Sequence, residues 1–156
     1  MENTSGSPQF TPGASDADLS AKVLAQVSRL LKTPVETALD LAVVTRNGMG
    51  PEMIAVLVDS GLTRREVEWI VPSRTLSHRR HSGRPLTVNE TGCLVRTVKI
   101  RAMAEVVMGS PEGALAWLRK PRRSFGGTSA MELLQTEVGG QVVEDALGRI
   151  DEGYFA

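Results

Sequence analysis

Residues 87–109, TVNETGCLVRTVKIRAMAEVVMG, decide the fold. Thr87 with Glu90 three positions later has the form of a capping box, in which each side chain satisfies a backbone N–H that a helix start leaves unpaired. Gly109 is suited to end a helix in the left-handed conformation. Between these signals Leu94, Val95, Val98, Ala102 and Val106 recur at helical spacing, and Ile100, Met103 and Val107 widen the stripe. A stripe of that width predicts a helix over Val88–Met108 that is central and contacted on two sides.

The same signals predict helices on either side of it. Thr63 and Glu66 make a second capping box, opening a helix that runs to about Val71. Pro72 breaks it, and Ser73 is placed to cap a helix from Arg74 to His81, with Leu76 inward and Ser82-Gly83 at its end. Pro51 at a first helical position starts a segment that reaches Asp59 and stops before Gly61. Asn47-Gly48-Met49-Gly50 is a break. Leu19, Val23, Val27, Leu30 and Leu31 repeat at helical spacing, and Pro34 to Val44 places Val35, Leu39 and Val43 on one face. Residues 1–17 carry too few aliphatic groups to offset the entropy of ordering them, so disorder is expected there. Downstream, Ser110 caps Pro111 to Arg119, Pro121 ends that helix, and Arg122 to Ser129 is a loop. Ala130–Gln135 reads as a short helix, Gly139-Gly140 as a turn, and Gln141–Ile150 as a last helix with Val143, Leu147 and Ile150 inward.

The expected fold is therefore all-α, in four parts. These are a tail (1–17), N-terminal helices (18–50), a helix-turn-helix part with the long central helix (51–108), and a small helical module (109–156). Composition agrees. The chain of 156 residues is 41% hydrophobic but only 4% aromatic, so its core is aliphatic, which favours helices over a sandwich. The one cysteine, Cys93, forms no internal disulfide and fits a reducing compartment. The aliphatic run Met53–Val58 is too short to span a bilayer, and the N-terminus has no apolar signal core, so a cytoplasmic protein with no membrane partner is expected.

A formal net charge of zero hides a strong asymmetry: −3 over residues 1–60, +6 over 61–101, +2 over 102–129 and −5 over 130–156. The basic centre is sharpest from Ser73 to Arg84, where six of twelve residues are Arg or His and none is acidic. Stable exposed helices normally mix signs. The spacing from Gly61 to Arg80 is that of a helix-turn-helix, and its second helix displays Arg74, Thr75, Ser77, His78 and Arg79 outward. Arginine bonds guanine O6 and N7 in the major groove, so Arg74 and Arg79 are the candidate base readers. Arg64, Arg65, Arg80 and Arg84 are candidates for phosphates, and Ser73 stands at a helix N-terminus that can hold another. The plainer alternative is a solvated basic helix. His78 and His81 are spaced i, i+3 with no third ligand at useful spacing, so no metal site is expected.

From Arg74 to Ala156, about half of the chain, the sequence resembles the toxin-binding antitoxins of the Xre/MbcA/ParS kind, partners of RES-domain toxins. Arg74-Thr75-Leu76 with Arg79-Arg80 is similar to that family's recognition-helix region, and Leu94, Arg96, Ala104-Glu105 and Gly109 to its central helix. Trp117-Leu118, Pro121, Phe125-Gly126-Gly127, Glu132-Leu133-Leu134, Thr136-Glu137, Gly139, Val143, Leu147, Arg149-Ile150 and Gly153 follow its toxin-binding pattern. The sequence departs from it at Thr91-Gly92-Cys93, at Arg122-Arg123 and at Ala130.

The resemblance implies an Xre-like helix-turn-helix and a C-terminal module that blocks the cleft of a toxin consuming NAD⁺. It also implies a homodimer, a higher hetero-oligomer with the toxin, and binding to the chain's own promoter. The residues are compatible. Leu133, Leu134, Val143, Leu147, Ile150, Tyr154 and Phe155 are many apolar groups for two short helices, and Glu132, Glu137, Glu144 and Asp145 rim them. Candidate toxin-binding residues are Phe125, Gly126, Gly127, Leu133, Leu134, Thr136, Leu147, Ile150, Asp151, Glu152, Gly153, Tyr154 and Phe155. Trp117, Leu118 and Leu133, mid-pattern at helical spacing, suit an ordinary core better than an interface, Phe125 suits either, and Tyr154 and Phe155, beyond Gly153, suit an interface. A competing reading is a stand-alone transcription regulator whose C-terminal module dimerises or senses a ligand. An enzyme is disfavoured: both histidines lie in the basic helix, and there is no phosphate loop or nucleophile elbow. No cofactor is expected.

Overall fold

The computed structural model describes the backbone of residues 14–153 and the side chains of residues 16–153. Tyr154 and Phe155 lie outside the described residues, as does the expected disordered tail up to residue 13. Among the described residues the fold is all-helical, in the order α1 (Ala14–Leu31), α2 (Ala38–Asn47), α3 (Ile54–Asp59), α4 (Arg64–Val67), α5 (Ser73–Ser82), α6 (Val88–Met108), α7 (Pro111–Arg119), α8 (Ala130–Leu133) and α9 (Glu137–Asp151). Single 3₁₀ turns, Pro51–Met53 and Arg123–Phe125, precede α3 and follow α7. Residues 14–17, expected to be disordered, form the first turn of α1.

Helix α6 has the predicted bounds. Thr87 Oγ1 accepts from the Glu90 N–H while Glu90 Oε2 accepts from the Thr87 N–H, at 3.1 and 2.8 Å. Gly109, at φ +77°, closes the helix by donating to the Glu105 carbonyl. Its burial exceeds the expectation of two sides. Leu94, Val98, Ile100, Ala102 and Ala104 are all inaccessible, and α1, α2, α3, α7 and α9 pack around it. Each buried aliphatic side chain contributes about 1.5–3 kcal/mol. The polar residues caught in that environment are hydrogen-bonded, as burial requires. Thr91 Oγ1 accepts from the Met49 N–H, Thr97 Oγ1 donates to the Cys93 carbonyl, and Arg101 reaches both Glu105 and the Ser60 carbonyl.

Helix α1 spends its apolar face on α6, burying Leu19, Val23, Val27 and Leu31 at a spacing of four. Helix α2 starts later than predicted. Thr37 caps it in a box with Asp40, so Val35 falls in the connection, buried and bonded to Ser28, while Leu41 points inward. Val35 is therefore separated from Leu39 and Val43, which are 72% and 47% exposed. Helix α4 has the predicted capping box, Thr63 with Glu66, but ends at Val67 rather than near Val71. Pro72, not Ser73, is the N-cap of α5, and the Ser73 hydroxyl donates to Glu68 instead.

The largest correction is at Gly139-Gly140. The pair is not a turn; it lies inside α9, whose N-cap is Thr136, so the helix begins four residues before Gln141. Both glycines are there for close approach. A Cβ on Gly139 would collide with the Leu133 carbonyl, and one on Gly140 would lie 2.7 Å from Arg96 Cδ. Gly148, in the same helix, has open space beside it. Gly139→Ala should therefore destabilise the protein by about 1–3 kcal/mol through overpacking. Gly148→Ala should stabilise it by about 0.5–1 kcal/mol through helix propensity. Thermal unfolding of the two variants checks this; equal shifts would mean that α9 does not sit so close to α8.

Candidate functional site

Two surfaces collect the residues singled out from sequence. The first is basic. Arg64, Arg65, Arg74, Ser77, His78, Arg80 and Arg84 are exposed, and Thr75 is half-buried. Among the described residues none of these arginines has a carboxylate within ion-pair distance. Helix α5 buries none of its residues, and Leu76 is its partial anchor on the core. Arg79 behaves differently. Its guanidinium donates to Glu90 at 3.0 Å and to the Pro85 carbonyl at 3.2 Å, fastening α5 to the start of α6. Of the two expected base readers, Arg79 is thus engaged within the chain, while Arg74 is exposed and has no carboxylate partner among the described residues.

The second surface is formed by α9 and the residues beside it. Of the expected contacts, Leu134 and Leu147 are core residues, inaccessible from outside. Phe125 is buried as well, its ring edge-on to Trp117 at 5.9 Å. These three support the surface from below. Leu133 and Ile150 are half-buried; Gly126, Gly127, Thr136, Asp151, Glu152 and Gly153 are exposed. Trp117 and Leu118 are core. The acidic rim is thinner than expected, because Glu132 is held by Ser129 in a capping box and Glu144 pairs with Lys99 at 2.7 Å.

The residues missed are Val138 and Val142, which are 78% and 42% exposed. With Ala146 and Ile150 they make a stripe at a spacing of four along the outer side of α9. The signal was present: Thr136 as N-cap would have started the helix at Glu137 and revealed that spacing.

Three arginines tie the surfaces together. Arg119, ending α7, grips both Glu66 oxygens at 2.7 and 2.9 Å and also donates to the Gly61 carbonyl. Arg101 joins α6 to the end of α3 through Ser60. Arg96 donates to the Leu134 and Gln135 carbonyls and lies over the Trp69 ring at 5.6 Å. Among the described residues no group of three His, Cys, Asp or Glu is placed to hold a metal, and no helix is long and apolar enough to cross a membrane.

Residues 103–153, from the middle of α6 to the end of α9, match the family model described as the antitoxin Xre/MbcA/ParS C-terminal toxin-binding domain. An "Antitoxin Xre" of Pseudomonas putida is 40% identical over 133 residues, covering 83% of each chain. An "Antitoxin Xre" of Yersinia enterocolitica is 36% identical over 88 residues, 55% of this chain and 59% of its own. The fold and its C-terminal surface are thus those of a binding protein, the antitoxin side of a toxin–antitoxin system, and not of an enzyme family. The chain belongs to the Xre antitoxin family.

The Arg119–Glu66 link carries a pH signature. Hydrogen bonds from Arg119, with the Thr63 N–H, hold the Glu66 carboxyl below the ordinary glutamate range despite partial burial. A carboxyl depressed in the folded state contributes stability that is fully present above its unfolded value, about 4.3, and is lost as pH falls through its folded value. Glu66→Gln should cost about 1 kcal/mol at pH 7, a modest figure because the pair is partly exposed. The gap between parent and variant should close in acid. Denaturant titrations at pH 7 and pH 3 test this; a gap that is the same at both would show that the ionised pair contributes nothing.

Proposed function

We propose that this antitoxin neutralises a RES-domain toxin that degrades NAD⁺, by covering the toxin's active-site cleft with the outer side of α9 and the residues that follow it. The observation that carries this reading is the exposed stripe Val138–Val142, running toward Ile150, in the span that matches the toxin-binding family. An apolar stripe left on a helix whose other side is fully spent on the core fits a partner surface. Asp151 and Glu152 at its end face cationic groups that otherwise hold the nucleotide, Gly153 at φ +86° turns the chain, and Tyr154 and Phe155 anchor in apolar pockets. Gly126, Gly127, Leu133 and Thr136 flank the contact.

The same reading includes autoregulation in the cytoplasm. Helices α4 and α5 act as a helix-turn-helix on the promoter, with Arg74 at base edges, Thr75, Ser77 and His78 beside it, and Arg64, Arg65, Ser73, Arg80 and Arg84 at phosphates. The homodimer that presents two such units uses the outer face of α2, where Leu39 and Val43 are exposed, since α1 has no apolar face left. With toxin bound, a higher hetero-oligomer forms.

Co-expression with the toxin, reading growth and cellular NAD⁺, tests the first part. Removal of residues 151–156, or Val138→Asp with Val142→Asp, should release toxin activity while circular dichroism stays unchanged. Each aromatic anchor is expected to be worth about 2 kcal/mol or more. Full protection by both folded variants would overturn it. For promoter binding, Arg74→Ala should cost about 1–3 kcal/mol and relax sequence preference, and Arg84→Ala should weaken all sequences alike and lower the salt slope by about 1. Unchanged binding by the Arg74 variant would refute the assignment of α5.

A further inference from the structure

Beside the α9 stripe, and sharing Val142, Ala146 and Ile150 with it, lies a groove of about 380 Å³. Its floor is Trp117, Phe125 and Ile150, and one wall is the Val142–Ala146 side of α9. Its rim is cationic: Lys120 is the C-cap of α7, Arg123 sits on the following turn, and Arg149 comes from α9. All three are exposed, and among the described residues none of them pairs with a carboxylate. No carboxylate among the described residues lines the groove. Arg122 sits over the Trp117 ring at 4.8 Å, and its Nε is buried without a hydrogen-bond partner. Such an arrangement, a small apolar floor inside a ring of one sign, recognises a group that is apolar in the middle and anionic at its edges.

We propose that this groove receives an acidic segment of the toxin, with a bulky apolar side chain over Trp117 and Phe125 and flanking carboxylates on Lys120, Arg123 and Arg149. The proposal rests on the toxin-binding reading and extends it: the contact has two halves of opposite sign, acidic residues 151–152 given to the toxin and a basic groove that takes acid from it. A nucleic-acid backbone fits less well. Its phosphates have no use for an apolar floor continuous with the exposed Val142 wall, and the entire groove falls within the span that matches the toxin-binding family.

The test uses the full chain and its cognate toxin, taken as the RES-domain protein encoded in the neighbouring reading frame. Affinity is titrated at low and high salt for the parent and for a Lys120→Glu, Arg123→Glu, Arg149→Glu variant. A photo-crosslinker replaces Ser124 at the groove's edge. The variant should bind about tenfold or more weakly at low salt, and high salt should narrow its gap to the parent. The crosslink should map to a toxin segment rich in Asp and Glu around an apolar residue. If charge reversal perturbs folding, Arg123→Gln alone, on an exposed turn, should still lower the salt slope. Unchanged affinity and salt slope, with a crosslink elsewhere, would overturn the groove while the parent complex leaves the toxin-binding reading intact. Weakened promoter binding with undiminished toxin binding would make the groove a nucleic-acid surface and also overturn it. No complex with the parent chain would remove both.

Discussion

Burial of α6 on nearly every side is the constraint from which the rest of this structure follows. A helix with Leu94, Val98, Ile100, Ala102 and Ala104 all inaccessible cannot exist alone, so α1, α2, α3, α7 and α9 are obliged to cover it. The polar side chains on the same helix must then find partners inside the protein: Thr97 finds its partner within α6, and two others reach out to neighbouring elements. Thr91 pins the Met49 backbone, and Arg101 holds the end of α3. Leaving such a group without its partner costs roughly 1–3 kcal/mol, so these contacts fix the positions of the N-terminal elements as firmly as the apolar ones do. The C-terminal face is mounted on this helix directly, and the basic segment indirectly, with α4 packed on α3 and α5 fastened to the start of α6 by Arg79 and Glu90. The family match that starts at Met103, inside α6, reflects the same sharing.

The C-terminal face depends on how closely α9 can approach. Gly139 and Gly140 bring it against the Leu133 carbonyl and the Arg96 stem. Arg96 in turn bonds the carbonyls that end α8, which would otherwise be left unpaired at a helix terminus. With Val143 and Leu147 spent on the core, the geometry of a single helix sends Val138 and Val142 outward. Core packing on one side thus produces an apolar stripe on the other. Glu132, Glu144 and Glu66 are held by partners within the chain, while Arg74 and Arg80 of α5 and the cations of the groove rim have no carboxylate partner among the described residues.

Much of this was legible in the sequence where a local rule had no competitor. The capping boxes at Thr63 and Thr87, the proline at Pro111 and the terminal glycines at Gly83 and Gly109 located helix ends because the same few atoms decide them in any protein. The failures have one cause, a local rule overridden by packing at a distance. Gly139-Gly140 looked like a turn because glycine usually marks one; here it marks a tight contact with residues six and more than forty positions away. The pairing of Arg79 was equally hidden: it lies in a basic run, and only the fold brings Glu90 to it. The toxin-binding pattern was legible as a set of anchors, and the structure sorts those anchors into support (Phe125, Leu134, Leu147) and surface (Ile150, Asp151, Glu152).

In the proposed complex the surface given to the toxin is the outer side of α9 with its neighbouring turn, and the basic α4–α5 face stays free. Hydrogen–deuterium exchange of the full chain, alone and saturated with toxin, addresses it directly. The account predicts added protection over 117–125 and 137–153 and little change over 64–84. Protection confined to 64–84, or spread through α1 and α2 with none on α9, would contradict it.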